Sequence, residues 1–229
     1  MAITRSDQDS PSPVRRARRL PGWTEFALIL VIVAVGMALV KSFIVQPFAI
    51  PSGSMENTLQ IGDRVLVSRS EYRFTEVQRG DVVVFDGSGL FTRTTATEPG
   101  GLAGAVHWIG ETLGVADPPG RIFVKRVIGL PGDAVQCCDS LGYITVNGTP
   151  LVEQDYLYPG DAPSATSFSV VVPPGAVWVM GDHRSVSADS RAHLGDPGGG
   201  MVPFDRILGR AFAVAWPVSR MGGLTRMEY

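Results

Sequence analysis

The sequence predicts a mostly antiparallel β domain that follows a single transmembrane helix near the N-terminus. Residues 26–40 form an uncharged apolar run, and the chain beyond it alternates short β-branched runs with turn residues. The 27 glycines and 17 prolines among 229 residues also argue against a helical bundle, because both residues interrupt helices. The chain is therefore expected to be mostly β after the apolar run.

The apolar run is long enough to cross a bilayer once its flanks are included. Residues 23–45 carry charge only at Glu25 and Lys41, and about 20 helical residues span a hydrocarbon core of about 30 Å. A cleaved signal peptide is the alternative, but no clean small-x-small site follows the run. We therefore expect a retained transmembrane helix over residues 23–45, with the lipid bilayer as a partner.

Charge is distributed unevenly around this helix. Residues 1–22 hold five arginines and two aspartates, a net charge of +3, which leaves −5 for the rest of a chain whose total is −2. An excess of Lys and Arg marks the cytoplasmic flank of a span. The expected topology is a basic cytoplasmic N-terminus at 1–22 and an extracytoplasmic domain at 46–229. The near-neutral net charge of the chain argues against a nucleic-acid partner.

The candidate strands of the outer domain are short runs bounded by turn residues. They are 64–68, 81–85, 121–129, 143–148, 167–172, 176–182 and 208–218. Asn147-Gly148 between apolar residues is typical of a β-hairpin turn. Residues 87–120 are rich in Gly, Thr, Ala and Pro and are interpreted as a surface insertion with one short helix at 105–114.

The two cysteines, Cys137 and Cys138, are adjacent in the sequence. Across a trans peptide their Cα atoms would lie about 3.8 Å apart, below the usual range for a disulfide, so a bond between them would be strained. The sequence leaves their redox state open.

The lysines stand out because they are rare. Among 20 cationic residues only Lys41 and Lys125 are lysines, and a lysine, unlike an arginine, can lose its proton and act as a base. Lys125 lies in the candidate strand 121–129. A strand lysine that faces the core must be neutral, which requires its pKa to fall by about 2 to 3 from about 10.4. The alternative is a solvated lysine on an exposed face.

A serine could be the partner of this lysine. Ser54 follows Gly53 in a loop just beyond the apolar run. Serines in such loops are usually turn residues, so Ser54 by itself predicts no chemistry.

The sequence contains residues for two other arrangements. A Ser-His-Asp triad could draw on His107, His183 or His193, but no spacing requires it. A metal site could draw on the acidic residues and histidines between 182 and 196, namely Asp182, His183, Asp189, His193 and Asp196. No HExxH or CxxC pattern accompanies them, and the sequence contains no P-loop and no GxGxxG, so neither a metal nor an organic cofactor is expected.

Four blocks, taken together, closely resemble the conserved boxes of the bacterial type I signal peptidases, also called leader peptidases. In chain order they are AIPSGSMENTL (49–59), GDRVLVSR (62–69), FVKRVIGLPGD (123–133) and MGDHRSVSADSR (180–191). GRAFAVAWP (209–217) is similar to the closing strand of that family. The resemblance implies a membrane-bound serine endopeptidase that cleaves N-terminal signal peptides from exported preproteins, with an antiparallel β domain of signal-peptidase type.

The resemblance also implies roles for individual residues. Ser54 would be the nucleophile and Lys125 the general base, while the Ser52 hydroxyl and the Ser54 N–H would form the oxyanion hole. Ser187 would orient the lysine amine, Asp189 would pair with Arg191, and Asp182 would pair with Arg126. The residues matching the substrate pockets, which accept the small residues of a small-x-small motif, are Phe48, Ile50, Pro51, Met55, Leu59, Phe123 and Val124.

The match is not complete. His183 stands where the bacterial pattern usually has Asn, and Phe123 where Tyr is also seen. Two other functions therefore stay open: a non-catalytic anchored β domain that binds exported chains, and a histidine-dependent serine hydrolase. The oligomeric state is not predicted.

The position of Ser54 agrees with a membrane-embedded substrate. Ser54 lies nine positions beyond Val45, so at most about 30 Å of extended chain can lift the nucleophile off the bilayer. A preprotein whose apolar segment is still in the bilayer would present its cleavage site at that height.

Overall fold

The computed structural model describes residues 22–43, 45–91 and 122–226. The chain divides between Ala38 and Leu39 into two compact units. Most of the predicted insertion, including its predicted helix at 105–114, lies outside the described residues.

One α-helix, α1 (Gly22–Phe43), contains the apolar run. Its large apolar side chains from Phe26 to Val35 are 49–64% exposed, on every side of the helix. Within the described ranges, the structure contains no helix whose length and apolar character suffice for a membrane crossing.

Among the described residues, the main sheet has eight antiparallel strands. They are β1 (Val45–Ala49), β2 (Arg64–Ser68), β3 (Val82–Asp86), β4 (Ile122–Gly129), β9 (Ala176–Met180), β10 (Val202–Pro203), β11 (Ile207–Trp216) and β12 (Gly222–Gly223). Their order is β1-β2-β11-β3-β4-β9-β10, with β12 also paired to β11. Strand β4 is therefore central, between β3 and β9.

A smaller antiparallel sheet has the order β7-β6-β5-β8. Its strands are β5 (Ala134–Cys137), β6 (Ile144–Val146), β7 (Thr149–Pro150) and β8 (Phe168–Val171). The predicted hairpin is confirmed: β6 pairs with β7, and Asn147 and Gly148 connect them with φ of 54° and 81°. Both residues of a type I′ turn need positive φ, which Asn and Gly adopt readily.

Short 3₁₀ helices connect the strands. They are Gly53–Met55, Glu71–Arg73, Arg184–Val186, Ser190–His193, Phe204–Arg206 and Val218–Arg220. The first of them carries Ser54 and the third lies directly before Ser187.

The predicted mostly antiparallel β architecture is confirmed. The strands that differ from the prediction are ones whose own residues show a weak strand pattern. Strand β1 was not predicted because Pro47 interrupts its apolar run. Within the part of the chain that the structure describes, β1 lies at the sheet edge and pairs with β2, and an edge position allows a residue that lacks an N–H. Strand β5 was also missed, because its four residues show too little alternation.

The adjacent cysteines are joined by a disulfide, and the peptide between Cys137 and Cys138 is cis. The Cα atoms of Cys137 and Cys138 are 2.9 Å apart. This distance is shorter than the value of about 3.8 Å that a trans peptide predicts.

Candidate active site

Ser54 lies in a short 3₁₀ turn that is held by the core on one side. Met55 and Leu59 follow it and are fully buried with Val65 and Val82 in one hydrophobic cluster. The Leu59 N–H donates to the Met55 carbonyl at 2.7 Å, which closes the next turn. Ser54 itself is 8% exposed. The apolar residues of this segment therefore determine where the serine hydroxyl lies.

Lys125 approaches Ser54 from strand β4. It lies opposite Val83 in the β3–β4 register and is 3% exposed. Its Nζ donates to Ser54 Oγ at 2.6 Å and to the Val124 carbonyl at 3.0 Å. The alternative of a solvated lysine is wrong, since this side chain is buried against a serine hydroxyl.

Burial changes the acid–base chemistry of this lysine. Desolvation lowers the pKa of Lys125 from 10.5 to about 8, although Asp189 and Asp182 partly oppose the change. A neutral amine carries a lone pair that can accept the Ser54 proton, whereas an ammonium cannot. Lys125 can therefore act as a base near neutral pH.

A buried ion pair supports the far side of β4. Arg126 donates to Asp182 through Nε at 2.8 Å and through Nη2 at 2.7 Å, and the two side chains are 1% and 0% exposed. Thr58, which follows the Ser54 turn, donates to Asp182 at 2.6 Å. The predicted pairing of Asp182 with Arg126 is confirmed, and it ties the Ser54 segment to strands β4 and β9.

The predicted pair of Asp189 with Arg191 is confirmed too, with contacts of 2.9 Å and 2.8 Å. Burial opposes ionisation of Asp189, but the Arg191 guanidinium and the Gly181 N–H outweigh it and hold the pKa of this carboxyl below its usual value. The carboxylate thus stays charged within the loop that carries Ser187.

The predicted bond between Ser187 and Lys125 is not among the hydrogen bonds of the described ranges. Ser187 Oγ is buried there without an aligned partner, and it lies close enough to the Asp189 carboxylate to help lower its pKa. Ser52 precedes the turn in an extended conformation, is exposed, and its hydroxyl does not cap the turn. The roles of Ser187 and Ser52 stay predictions.

The predicted pocket residues separate into three groups. Phe48, Ile50, Met55 and Leu59 are buried together, with Val124 packed against them. Phe123 packs in another cluster, where its ring stacks on Phe85 at 5.7 Å. Pro51 is exposed. The structure thus brings five of the seven together beside Ser54.

The histidines take other partners. His193 Nδ1 lies 2.8 Å from Asp196 Oδ2, while the His183 ring lies beside Glu56 and Asp161. His107 lies outside the described residues. Among the part of the chain that the structure describes, no group of His, Cys, Asp and Glu could hold a metal ion.

Sequence reasoning missed a second buried charge cluster next to the site. Arg184 pairs with Glu153, whose carboxylate also accepts a 2.7 Å bond from the Tyr156 hydroxyl. The Arg126 guanidinium lies 4.4 Å from the centroid of the Tyr156 ring. Arg184 stands inside the fourth matched block, but no pattern in the sequence connects it to Glu153.

Comparison with known proteins identifies the family of this chain. A family model described as "Signal peptidase, peptidase S26" matches residues 23–216. Signal peptidase I of Mycobacterium tuberculosis is 39% identical over 236 residues, which cover 93% of this chain and 78% of the relative. A probable signal peptidase I-2 of Synechocystis is 34% identical over 204 residues, covering 89% and 78%.

A crystal structure of a signal peptidase I from Enterococcus faecalis aligns with a TM-score of 0.37 at 22% identity, covering 59% of this chain and 97% of that chain. The match of the family model extends over most of the present sequence and includes both Ser54 and Lys125. The chain therefore belongs to the signal peptidase family, peptidase S26, and is a serine endopeptidase of the kind that cleaves signal peptides.

Proposed function

We propose that this signal peptidase is a single-span membrane protein that cleaves exported preproteins with Ser54 as nucleophile and Lys125 as general base. One observation carries the proposal: a buried lysine amine lies 2.6 Å from a serine hydroxyl. The lowered pKa of Lys125, about 8, suits a base that works near neutral pH. A nucleophile within hydrogen-bond reach of its base is the arrangement that acyl transfer needs.

The chemistry proceeds in two steps. Neutral Lys125 accepts the Ser54 proton as Oγ attacks the scissile carbonyl, and the lysine then protonates the leaving amine of the mature chain. Water, deprotonated by the same lysine, hydrolyses the acyl-enzyme and releases the signal peptide. The Ser54 N–H and the Ser52 hydroxyl are the proposed oxyanion donors, and one such donor is worth about 10²- to 10³-fold in rate.

The remaining site residues support this pair. The ion pairs Arg126–Asp182 and Asp189–Arg191 hold β4 and the 181–191 loop, and Ser187 in that loop is proposed to orient the lysine amine. The substrate is proposed to bind beside Ser54 along the exposed Pro51 and the half-buried Phe123 and Val124, and the buried residues Phe48, Ile50, Met55 and Leu59 are proposed to support that surface from the core. Shallow apolar pockets accept the small side chains of a small-x-small motif.

The function is tested by incubating the detergent-solubilised protein with a precursor that carries a signal peptide. We expect one cut directly after a small-x-small motif, as found by N-terminal sequencing of the product, and none with Ser54→Ala. Replacing the small residue directly before the cut with Leu should also prevent cleavage. An intact precursor with the wild-type protein would instead support a non-catalytic domain that binds exported chains.

We also propose that α1 anchors the protein in the cytoplasmic membrane with its N-terminus inside. The run 26–40 is uncharged, and exposed apolar side chains surround the helix from Phe26 to Val35. A helix that is apolar all round needs either a protein core or lipid around it. The arginines of residues 1–22 support a cytoplasmic N-terminus.

The anchor is tested by fractionating cells that express the full chain. We expect the protein to stay with membranes after alkaline carbonate extraction, and added protease to digest the β domain in spheroplasts but not in inverted vesicles. A variant with Val31→Arg and Val35→Arg, which places charges inside the apolar run, should be released by the extraction. Release of the wild-type protein by carbonate would contradict the anchor.

A further inference from the structure

The side chain of Arg184 is buried in the loop that follows strand β9, where it binds three segments of the chain. Its side chain and that of Glu153 are each 2% exposed. Nε donates to the Gly181 carbonyl at 2.8 Å, and Nη1 donates to the Pro163 carbonyl at 2.6 Å. Nη2 donates to Glu153 Oε1, and Nη1 also contacts Oε2 at 3.3 Å. Every nitrogen of this guanidinium is therefore used to hold another part of the chain.

Gly181, whose carbonyl Arg184 holds, packs directly against the nucleophile. A Cβ added to Gly181 would lie 2.4 Å from the Ser54 carbonyl oxygen and 2.3 Å from Ser187 Oγ, so these two groups occupy the space of a side chain. Glycine permits such a close approach because it has no Cβ. The Gly181 N–H donates to Asp189 Oδ2 at 3.0 Å. A shift of the Gly181 peptide would therefore displace the Ser54 backbone and the Ser187 hydroxyl together.

Glu153 and Tyr156 determine where the Arg184 guanidinium lies. The Glu153 carboxylate contacts two guanidinium nitrogens and accepts a 2.7 Å bond from the Tyr156 hydroxyl. Tyr156 is fully buried, and the centroid of its ring lies 4.4 Å from Arg126 Cζ and 5.9 Å from Arg184 Cζ. The face of an aromatic ring attracts cations. The carboxylate and the ring thus hold the arginine side chain in place.

The segment that carries Glu153 also contacts both sides of the site through its backbone. The Leu157 carbonyl accepts a 3.1 Å bond from Asn57 Nδ2, in the segment that follows the nucleophile. The Tyr158 N–H donates to the Asp182 carbonyl at 2.9 Å. The segment therefore connects the nucleophile side of the site with the 181–191 loop.

These contacts require an arginine at position 184. A guanidinium is planar and carries five N–H donors in a fixed arrangement, whereas a lysine ammonium presents three donors from one atom. A lysine at this position can keep the ion pair with Glu153, but a single nitrogen cannot also hold the Gly181 carbonyl in the same geometry. The charge and the positioning contact can therefore be separated by one substitution.

We propose that Arg184 is a positioning residue that is held by Glu153 and fixes the Gly181 peptide. Because that peptide packs against the Ser54 carbonyl and the Ser187 hydroxyl, the contact keeps both groups aligned with the lysine amine. The inference rests on the proposed serine–lysine pair, since the arginine acts through the orientation of those groups. Because the Arg184 side chain is buried, its loss should slow the chemical step and leave substrate binding nearly unchanged.

The test compares Arg184→Lys, Glu153→Gln and the double variant in precursor cleavage, at a temperature at which circular dichroism shows each protein to be folded. Each single variant should lower kcat about tenfold and change KM little, as expected for the loss of one charge-assisted contact. The double variant should be no slower than the slower single variant, because both substitutions loosen the same contact. An ion pair that only stabilises the fold would leave the kcat of every folded variant unchanged.

Arg79→Lys is the matched control. Arg79 also binds a carboxylate through Nε and Nη2, at 2.8 Å and 2.6 Å, but its partner is Asp133 instead of Glu153 and the 181–191 loop. Its kcat should equal that of the wild type.

A folded Arg184→Lys protein with the wild-type kcat would overturn the proposal, as would a rise in KM alone or losses that multiply in the double variant. If Arg184→Lys does not fold, Glu153→Gln, which keeps the arginine, decides by the same criteria. Cleavage that survives Ser54→Ala would mean instead that the proposed serine–lysine pair fails.

Discussion

Lys125→Met is expected to lower the rate of precursor cleavage by about 10⁴-fold or more, because Ser54 then has no base to accept its proton. Methionine is unbranched like lysine, is one atom shorter and fills most of the same buried space, so the fold should be retained. Lys125→Arg should be equally inactive, since a guanidinium does not lose its proton. Circular dichroism and the melting temperature show whether each variant is folded. Cleavage at the wild-type rate by a folded Lys125→Met protein would exclude the Ser-Lys mechanism.

The pH dependence of the wild-type protein tests the same residue. The folded pKa of Lys125 is about 8, while an unfolded lysine keeps 10.5. The cleavage rate should therefore rise with pH and level off above about 8, where the amine is neutral. A rate that keeps rising toward the pKa of a free lysine would show that the amine is solvated.

The free energy of unfolding should change with pH because the pKa of Lys125 differs between the folded and the unfolded protein. Below pH 8 the Lys125 amine is protonated in both the folded and the unfolded protein, and the buried ammonium destabilises the fold. Between pH 8 and 10.5 only the unfolded protein holds this proton, so the free energy of unfolding rises with pH. The difference between the folded and unfolded pKa of Lys125 corresponds to about 3 kcal/mol of unfolding free energy. Lys125→Met should thus be more stable than the wild type below pH 8 and lose that advantage by pH 10.5 in urea unfolding. A stability difference that does not vary with pH would contradict a buried lysine.

Asp182→Ala is expected to destabilise the protein by about 3–5 kcal/mol, the usual result of leaving one partner of a buried ion pair uncompensated. Arg126 is 1% exposed and would lose two charge-assisted bonds, and Thr58 would lose its acceptor. Urea unfolding measures the loss. Asp205→Ala is the control, since Asp205 is exposed, and it should change stability by less than about 0.5 kcal/mol.

A double variant distinguishes the contribution of the Arg126–Asp182 ion pair to stability from the cost of leaving Arg126 buried without its partner. Asp182→Leu combined with Arg126→Met removes both charges and should recover much of the stability lost in Asp182→Ala, because no unpaired charge remains buried. A double variant less stable than Asp182→Ala would mean that the ion pair is itself strongly stabilising.

Strong local patterns made most of the main sheet predictable. Strand β2 has the predicted bounds, 64–68, and β3, β4, β9 and β11 lie within a residue or two of theirs. These strands are rich in β-branched residues and are buried on the sheet, so local preference and tertiary environment agree. Strand β1 contains Pro47 and was missed, because its place at an edge depends on β2 and not on its own residues.

The candidate site was predictable only in part. The matched blocks identified Ser54 and Lys125, and the rarity of lysine drew attention to Lys125. The cluster of His183 with Glu56 and Asp161, and that of Arg184 with Glu153, were not predicted. Their members come from segments far apart in the chain, and no periodicity relates such positions.

The residue types that the chemistry needs, the apolar run, the charge asymmetry around it and the strand-forming segments can all be read from the amino-acid sequence, because each depends on composition or on neighbours a few residues apart. The burial of Lys125 and the 2.6 Å distance between its amine and the Ser54 hydroxyl arise from the packing of distant segments. A lysine becomes a base near neutral pH when the surrounding strands exclude water from it, and that desolvation is a property of the packed sheet.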